Sequence, residues 1–586
     1  MKIKKVLSAL MAAVVTCSFG LCSVACGGDE SNPAAPKNTD PYDIPQDYCR
    51  TYYEVFVRSF ADGNNDGIGD LKGLIKNLDY LNDGDDSTTD DLGINGIWLM
   101  PINQSPSYHK YDVTDYYDID DEYGTLEDFD ELVKECNKRG IWIQMDLVLN
   151  HTSSQHPWFK QARNDARAGK VAGDGIEEGT SKYMAYYNFY KWDEGPRIDK
   201  ARYEKRGEGF EYLCNFDSAM PDLNLQHPDV RAEITKIVDF WLERGVKSFR
   251  LDAVPWANAY DSIYNEENGE FWTWFNDYCH SKGAEVAAAQ GWANDAIAKY
   301  CYNVGEVWAD NDTVQAFFGT GMSNFNYAVA ANPDIGYAQV INGFGSAASF
   351  VEKLVNIQAG VLGRDPDALL SNFLSNHDND RSSCFFGLDK SLIKKAAGLY
   401  LLSPGNPYIY YGEEIGANGF SESSQNNDPN KRLPFNWGDG RSKIQDPPGA
   451  NFSGKQRLGS WKSQNTDPNS ILTYYRNAIK LRNRFPEIGR GLMKAYRLDA
   501  SGKIVEASAA GAINSLNTYV AVYTLTWKDR TVLIAHNIGE EDAVLDISNF
   551  AGYSLQGMLK ADGGNVKLDD NKLTMSPSTV AVLKAV

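Results

Sequence analysis

The feature that most limits what this chain can fold into is an alternation. Short β-rich runs recur at Tyr52–Phe60, Ile94–Pro101, Gly140–Val148, Val246–Leu251, Cys301–Val307, Leu370–Leu374 and Pro407–Tyr411. A helical or loop stretch follows each. Thr125–Arg139 and Val230–Arg244 carry apolar residues at three- and four-residue steps, the pattern of amphipathic helices. Alternating strand and helix imply parallel βαβ units, and about eight of them suggest a closed barrel rather than an open sheet. Two regions break the rhythm. Residues 152–224 look irregular, without a clean helix, and read as a small domain inserted after the third strand. After Asn469–Arg484 the helical pattern ends, and from about residue 490 a period of two takes over, as in Tyr519–Trp527 and Thr531–His536. The expected fold is α/β: a (β/α)8 TIM barrel with an inserted domain after strand 3 and a C-terminal antiparallel β-sandwich.

Composition narrows the function. Among 586 residues, 57 Lys and Arg face 79 Asp and Glu, a formal net charge of −22. That charge excludes a nucleic-acid binder working by phosphate neutralisation and suits a soluble exported protein. Lys2, Lys4 and Lys5, the apolar run from Val6 to about Leu21, and Ser23-Val24-Ala25-Cys26 read as a secretory signal. Cys26 directly after small residues resembles a bacterial lipobox, although Ser23 stands where Leu is usual. The expectation is a lipoprotein signal peptide over 1–25, a Pro-rich tether over 26–45 and a membrane partner reached through lipid on Cys26, which places the protein outside the cytoplasm at a cell surface. The barrel then occupies 46–151 and 225–489, the inserted domain 152–224 and the sandwich 490–586. A monomer is expected. The six Cys beyond the signal are scattered without metal-ligand spacing, and their pairing is open.

In such a barrel the reactive groups collect at the C-terminal strand ends. The third run ends in Asp146, Asn150 and His151; the next in Arg250 and Asp252; the next in Glu306 and Trp308; a later one in His377, Asp378 and Arg381. An isolated Asp at a strand end is usually a cap or turn former, but four apolar strands each finishing in a carboxylate are hard to reach that way. Convergent carboxylates without a Cys/His metal set suit glycosidic-bond hydrolysis, which needs one carboxylate to attack and one protonated carboxyl to protonate the leaving oxygen. Arg250 lies two residues before Asp252, on the same face of its strand, and can hold that Asp ionised.

These residues carry a clear resemblance to the α-amylase family, glycoside hydrolase family thirteen. Matching segments run from about residue 50 to 440: GINGIWLMPINQSPSYHKYDVTDYY (93–117), MDLVLNHTS (145–153), MPDLN (220–224), FRLDAV (249–254), GEVW (305–308) and FLSNHDNDR (373–381). The resemblance implies retaining hydrolysis of α-1,4-glucosidic bonds in starch, maltodextrin or a related α-glucan. It implies Asp252 as nucleophile, Glu306 as general acid/base and Asp378 as the carboxylate that grips the sugar. Arg250, His151 and His377 would line the minus-one subsite, Tyr111 would stack on its sugar, and Asp146 would support the site without reacting. Trp308 is a candidate stacking platform, with Trp158, Trp192 and Trp256 less favoured.

A cation is also expected. Asp62, Asn64, Asp66 and Asp70 supply oxygens at positions 1, 3, 5 and 9 of a loop with Gly67 at 6 and the Ile68 carbonyl at 7, which is calcium-loop spacing. Position 12 is Gly73 rather than a bidentate Glu, and the alternative is a Gly/Asp/Asn turn with no ion. A similar loop binds structural Ca2+ in oligo-1,6-glucosidase relatives. By resemblance Asn150 can bind a second calcium, but Pro255-Trp256 replaces the Lys-His usual beyond the nucleophile. For substrate, Tyr108 stands where exo-acting relatives place an Asp, which favours endo action. MPDLN lies between the oligo-1,6-glucosidase and neopullulanase patterns, and Arg432-Leu-Pro-Phe-Asn-Trp437 resembles the glucosidase side. The reading is an endo-acting α-amylase; an α-glucosidase, oligo-1,6-glucosidase or glucan transferase is the alternative.

Overall fold

The computed structural model describes residues 47–170, 180–191, 203–205, 209–257, 264–290, 301–330, 336–421, 427–440, 443–452, 456–509 and 514–585. The signal, Cys26, the tether and Trp192 lie outside the described residues.

Eight parallel strands close a barrel: β1 (Tyr52–Val55), β2 (Gly96–Leu99), β3 (Trp142–Leu147), β4 (Ser248–Leu251), β5 (Val304–Gly305), β6 (Ser323–Phe325), β7 (Leu370–Phe373) and β8 (Asn406–Tyr410). Each lies beside its neighbours in sequence, and β8 pairs with β1 through Tyr52–Tyr408, Tyr53–Ile409 and Glu54–Tyr410. Most of the seven runs read from the sequence shorten. The first stops at Val55, and Val57–Phe60 turns helical. β6, sequence Ser-Asn-Phe, was not legible: three residues with two polar ones give no apolar run.

Inward-facing aromatic side chains fill the barrel. Tyr52, Trp98, Phe325, Tyr327, Phe373 and Tyr408 form one cluster, with Tyr52 and Tyr408 stacked at 4.7 Å. Because side chains alternate, Glu54 faces inward one layer above Tyr52, and a polar layer of Glu54, Asp146 and Arg250 caps the aromatic one. Register sets Asp146 opposite Arg250 on the adjacent strands β3 and β4.

The expected helices form. Leu126–Lys138 starts at a capping box in which the Thr125 hydroxyl accepts the Asp128 N–H and the Asp128 carboxylate accepts the Thr125 N–H. Pro228–Glu243 buries Val230, Ile234, Ile237, Val238, Trp241 and Leu242.

The insertion is more regular than its sequence suggests. Pro157–Arg167 is an 11-residue helix, capped by His156 and burying Phe159, Ala162 and Ala166. The expectation of no clean helix there is corrected: its apolar stripe is narrow, and charged residues mask it. A three-stranded sheet of Phe189–Lys191, Phe210–Leu213 and Tyr203–Lys205 follows. Trp158 packs among Tyr116, His156, Tyr183 and Tyr186 as part of this unit.

The C-terminal region holds two antiparallel sheets, one of six strands and one of three. Leu498, Val522, Leu533, Leu545, Leu573 and Leu583 form a core between them. Among the described residues no helix is long and apolar enough to cross a membrane, and all six described Cys are free thiols.

Candidate active site

Three of the strand-end carboxylates converge on one guanidinium at the C-terminal mouth of the barrel. Arg250, fully buried on β4, reaches Asp252 at 2.7 Å and Asp146 at 2.9 Å through Nη1, and Glu306 at 2.9 Å through Nη2. The same-face argument from the sequence therefore holds for Arg250 and Asp252. Backbone geometry aims these groups. Ala253, directly after Asp252, has φ of 51°, a left-handed conformation that turns the chain sharply off β4. The Ala253 N–H then donates to Glu306 Oε2 at 3.2 Å. Gly305 is required before Glu306, since a Cβ there would lie 2.5 Å from Asn324 Oδ1.

Asp378 sits opposite. Its N–H and that of Asn379 donate to Asn376 Oδ1, both at 3.0 Å. His377 Nε2 lies 3.0 Å from Asp378 Oδ2, and Arg432 Nη2 lies 2.8 Å from Oδ1. Tyr111 is presented by a strained turn. Lys110 has φ of 65°, and its buried ammonium is tied to Asp120 at 2.9 Å and Glu122 at 2.7 Å. The Tyr111 hydroxyl lies 2.8 Å from His377 Nε2 and donates to Asp146 Oδ2 at 3.1 Å. Trp98 Nε1 also donates to Asp146, at 3.2 Å. Asp146 thus accepts from Arg250, Tyr111 and Trp98.

Two further groups remain open to a ligand. His151 Nε2 is buried without a hydrogen-bond partner. Trp308 stacks on Tyr327 at 5.3 Å with 55 % of its surface exposed. Phe216, also exposed, lies 5.4 Å from the His151 ring and 5.8 Å from Trp256.

Electrostatics separates the carboxyls. Burial pushes Glu306 up to about 7 despite Arg250, with Asp252 and Asp378 adding to the rise. Burial likewise lifts Asp146 to about 6 against Arg250. Asp378 would also rise by burial, but the charges of His377 and Arg432 outweigh it and hold its carboxyl far below the usual range. Burial disfavours a charged His377, yet Asp378 and Glu54 reverse this and raise it to about 10. His151 is lowered by burial. The site can therefore keep one carboxyl protonated near neutral pH beside an anionic one, the requirement of acid-assisted glycosyl transfer.

Sequence reasoning missed two members. Glu54, within an apolar strand, bonds His377 Nδ1 at 2.6 Å. Arg432 lies in a segment noted only for its resemblance, and it also donates to the Tyr108 hydroxyl at 3.2 Å.

The expected calcium loop folds on itself. Asp62 accepts the N–H groups of Asn64, Asn65 and Gly67 at 3.1, 2.6 and 2.9 Å. Asp66 accepts the Ile68 N–H and the Asn64 side-chain amide at 2.8 and 2.9 Å. Asp70 caps the helix Leu71–Lys76 through the Gly73 N–H and also accepts the Gly63 N–H. Among the described residues no three His, Cys, Asp or Glu form a metal-holding group. The loop has the donor chemistry for a hard cation, and the amide N–H groups its carboxylates accept hold those oxygens in place. At the second position, Asn150 directs its amide at Asp222 Oδ1, 3.4 Å away.

Comparison with known proteins identifies the family. Residues 54–491 match the family described as "Alpha amylase, catalytic domain". The chain is 33 % identical over 548 residues to Alpha-amylase 3 of Dictyoglomus thermophilum, covering 91 % of this chain and 92 % of that one. It is 27 % identical over 568 residues to an oligo-1,6-glucosidase of Parageobacillus thermoglucosidasius, covering 86 % and 93 %. The solved structure of Eubacterium rectale Amy13B superposes with a TM-score of 0.79 at 35 % identity, covering 93 % of this chain and 97 % of that one. The chain belongs to the α-amylase family and is a glycoside hydrolase.

Proposed function

We propose that this protein is a retaining, endo-acting α-amylase that cuts α-1,4-glucosidic bonds in starch, maltodextrin or a related α-glucan. The observation that carries the reading is the single Arg250 guanidinium holding Asp252 and Glu306 side by side, with Glu306 pushed up to about 7. In the first step an Asp252 oxygen attacks the anomeric carbon and the glycosidic C–O bond breaks. The Glu306 proton moves to the departing oxygen. In the second step the Glu306 carboxylate takes a proton from water, whose oxygen attacks the same carbon and releases Asp252. Asp378, His377 and His151 grip the minus-one hydroxyls, and Tyr111 covers the ring.

Endo action is supported by Tyr108 at the position where an exo enzyme needs a carboxylate, with its hydroxyl held by Arg432. One observation favours the alternative of a glucosidase or transferase: Asp378 is paired to Arg432, from the segment shared with the glucosidase side. Product analysis on soluble starch and pullulan, wild type beside Glu306→Gln, decides between them. A ladder of short maltooligosaccharides from starch, lost in the variant, is the endo result. Glucose alone, or chains longer than a supplied oligomer, moves the reading to the alternative. Absence of turnover of either glucan overturns the endo-amylase reading, and absence of turnover of maltooligosaccharides as well overturns the alternative.

The proposal includes a structural Ca2+ on the Asp62–Asp70 loop, supported by its oxygen donors and spacing. It also includes anchoring through a lipid on Cys26 at a cell surface, as a monomer. Labelled fatty acid should enter the wild type and not Cys26→Ala, and light scattering gives the oligomeric state.

A further inference from the structure

Glu54 is a buried carboxylate that the proposed chemistry does not use. It lies on β1, inside the barrel, 1 % exposed. Its Oε1 is 2.6 Å from His377 Nδ1. The other ring nitrogen, Nε2, lies 3.0 Å from Asp378 and 2.8 Å from the Tyr111 hydroxyl. A neutral imidazole carries one N–H and can donate to only one side. With Glu54 and Asp378 both ionised, only the doubly protonated ring donates to each; burial raises the Glu54 carboxyl, and the charge of His377 opposes that rise.

The surroundings favour that cation. Around His377 stand Glu54 on β1, the Trp98 ring edge on β2, Tyr111 on the turn beyond β2, Asp146 on β3 and Arg250 on β4. Asp378 follows on the β7 loop, Tyr410 lies on β8, and Arg432 beyond β8 bonds the His377 carbonyl at 3.1 Å. Glu54, Asp146, Asp252, Glu306 and Asp378 bring five carboxyls to one pocket, against Arg250 and Arg432. A charged His377 redresses an excess that the two arginines alone leave.

We propose that Glu54 is a positioning residue for the reaction: it holds His377 in its doubly protonated form, so that Nε2–H is always offered to Asp378 and the minus-one sugar. The inference rests on the functional reading above, because His377 and Asp378 must face substrate. Removing an opposite charge at this distance lowers a pKa by about 1–3 units. His377 then loses its proton between neutral and mildly alkaline pH, where the wild type keeps it.

The test compares Glu54→Gln with wild type on soluble starch from pH 6 to pH 9. The ratio of their kcat/KM values cancels the titration of Glu306, which both share. The expected result is a ratio that falls about tenfold across that range, with Glu54→Asp restoring the wild-type profile. A ratio flat with pH overturns the proposal. In parallel, 15N-histidine spectra of wild type should show one ring, absent in His377→Asn, protonated on both nitrogens up to pH 9. A His377 ring titrating near 6.5 overturns the proposal, even if Glu54→Gln fails to fold. If wild type turns over no α-glucan, the functional reading fails, while the spectra still decide the proton state.

Discussion

At the scale of the residue, the site works by pulling similar carboxyls apart. Glu306 is pushed above its ordinary value by burial, so its protonated form is favoured in the folded protein. Activity should therefore have an alkaline limb near pH 7, above which kcat/KM falls tenfold per unit; a pH–rate profile on starch checks this. The same shift has a stability consequence. Below the unfolded value near 4.5 the group is protonated in both states and contributes nothing. Between that value and about 7 the folded state binds more protons than the unfolded, so stability is lost as pH rises. Glu306→Gln removes the penalty. It should lower kcat by at least 10²–10⁴-fold, roughly the worth of an acid–base group, yet melt a few degrees higher than wild type at pH 8 and at the same temperature at pH 4. Calorimetry at the two pH values decides it. Asp252, Glu306 and Asp378 were legible because each ends an apolar run. Glu54 and Arg432 were not: Glu54 gains meaning only when β1 closes beside β8, and Arg432 lies more than fifty residues from Asp378 in sequence.

At the scale of the element, legibility followed the strength of local signals. The helix Leu126–Lys138 carries both a stripe of Phe129, Leu132, Val133 and Cys136 and a capping box at Thr125, so pattern and cap agree. Thr125→Ala should cost about 1 kcal/mol, seen as a lower denaturation midpoint with unchanged kcat. The three-residue β6 has no such signal; neighbouring strands and the aromatic interior impose it. The Asp62–Asp70 loop shows the limit of spacing as evidence. Its carboxylates match a ligand pattern and equally match the amide N–H groups they accept. Adding 1 mM Ca2+ after exhaustive chelation should raise the melting temperature of wild type and not of Asp62→Asn. An equal melting temperature in both conditions would mean the loop is closed by its own hydrogen bonds.

At the scale of the whole molecule, the C-terminal sheets act as a second wall of the barrel's core. The strand Arg530–Asn537 is apolar on both faces: Val532 and Ile534 join the main core, while Leu533 and Ala535 face the smaller sheet. That double burial makes Val532–Ala535 a continuous apolar run, so the period of two expected over Thr531–His536 does not hold there. Polar ties accompany the packing. The Tyr523 hydroxyl donates to the Leu402 carbonyl at 3.0 Å, and the fully buried Glu487 side chain is paired to Lys584 at 2.6 Å and Arg530 at 3.3 Å. Cutting the chain after Gly491 would strip Glu487 of its two cations and expose the apolar face that Tyr523, Val532 and Ile534 cover. The expectation is that residues 47–491 alone fail to accumulate as soluble protein, although they contain every group of the proposed site. A milder variant separates packing from chemistry. Ile534→Ala removes a buried side chain at this junction and should cost about 2–5 kcal/mol, while kcat on starch at 25 °C stays that of wild type. A fully active, equally stable 47–491 fragment would show instead that the barrel completes its core without the sandwich.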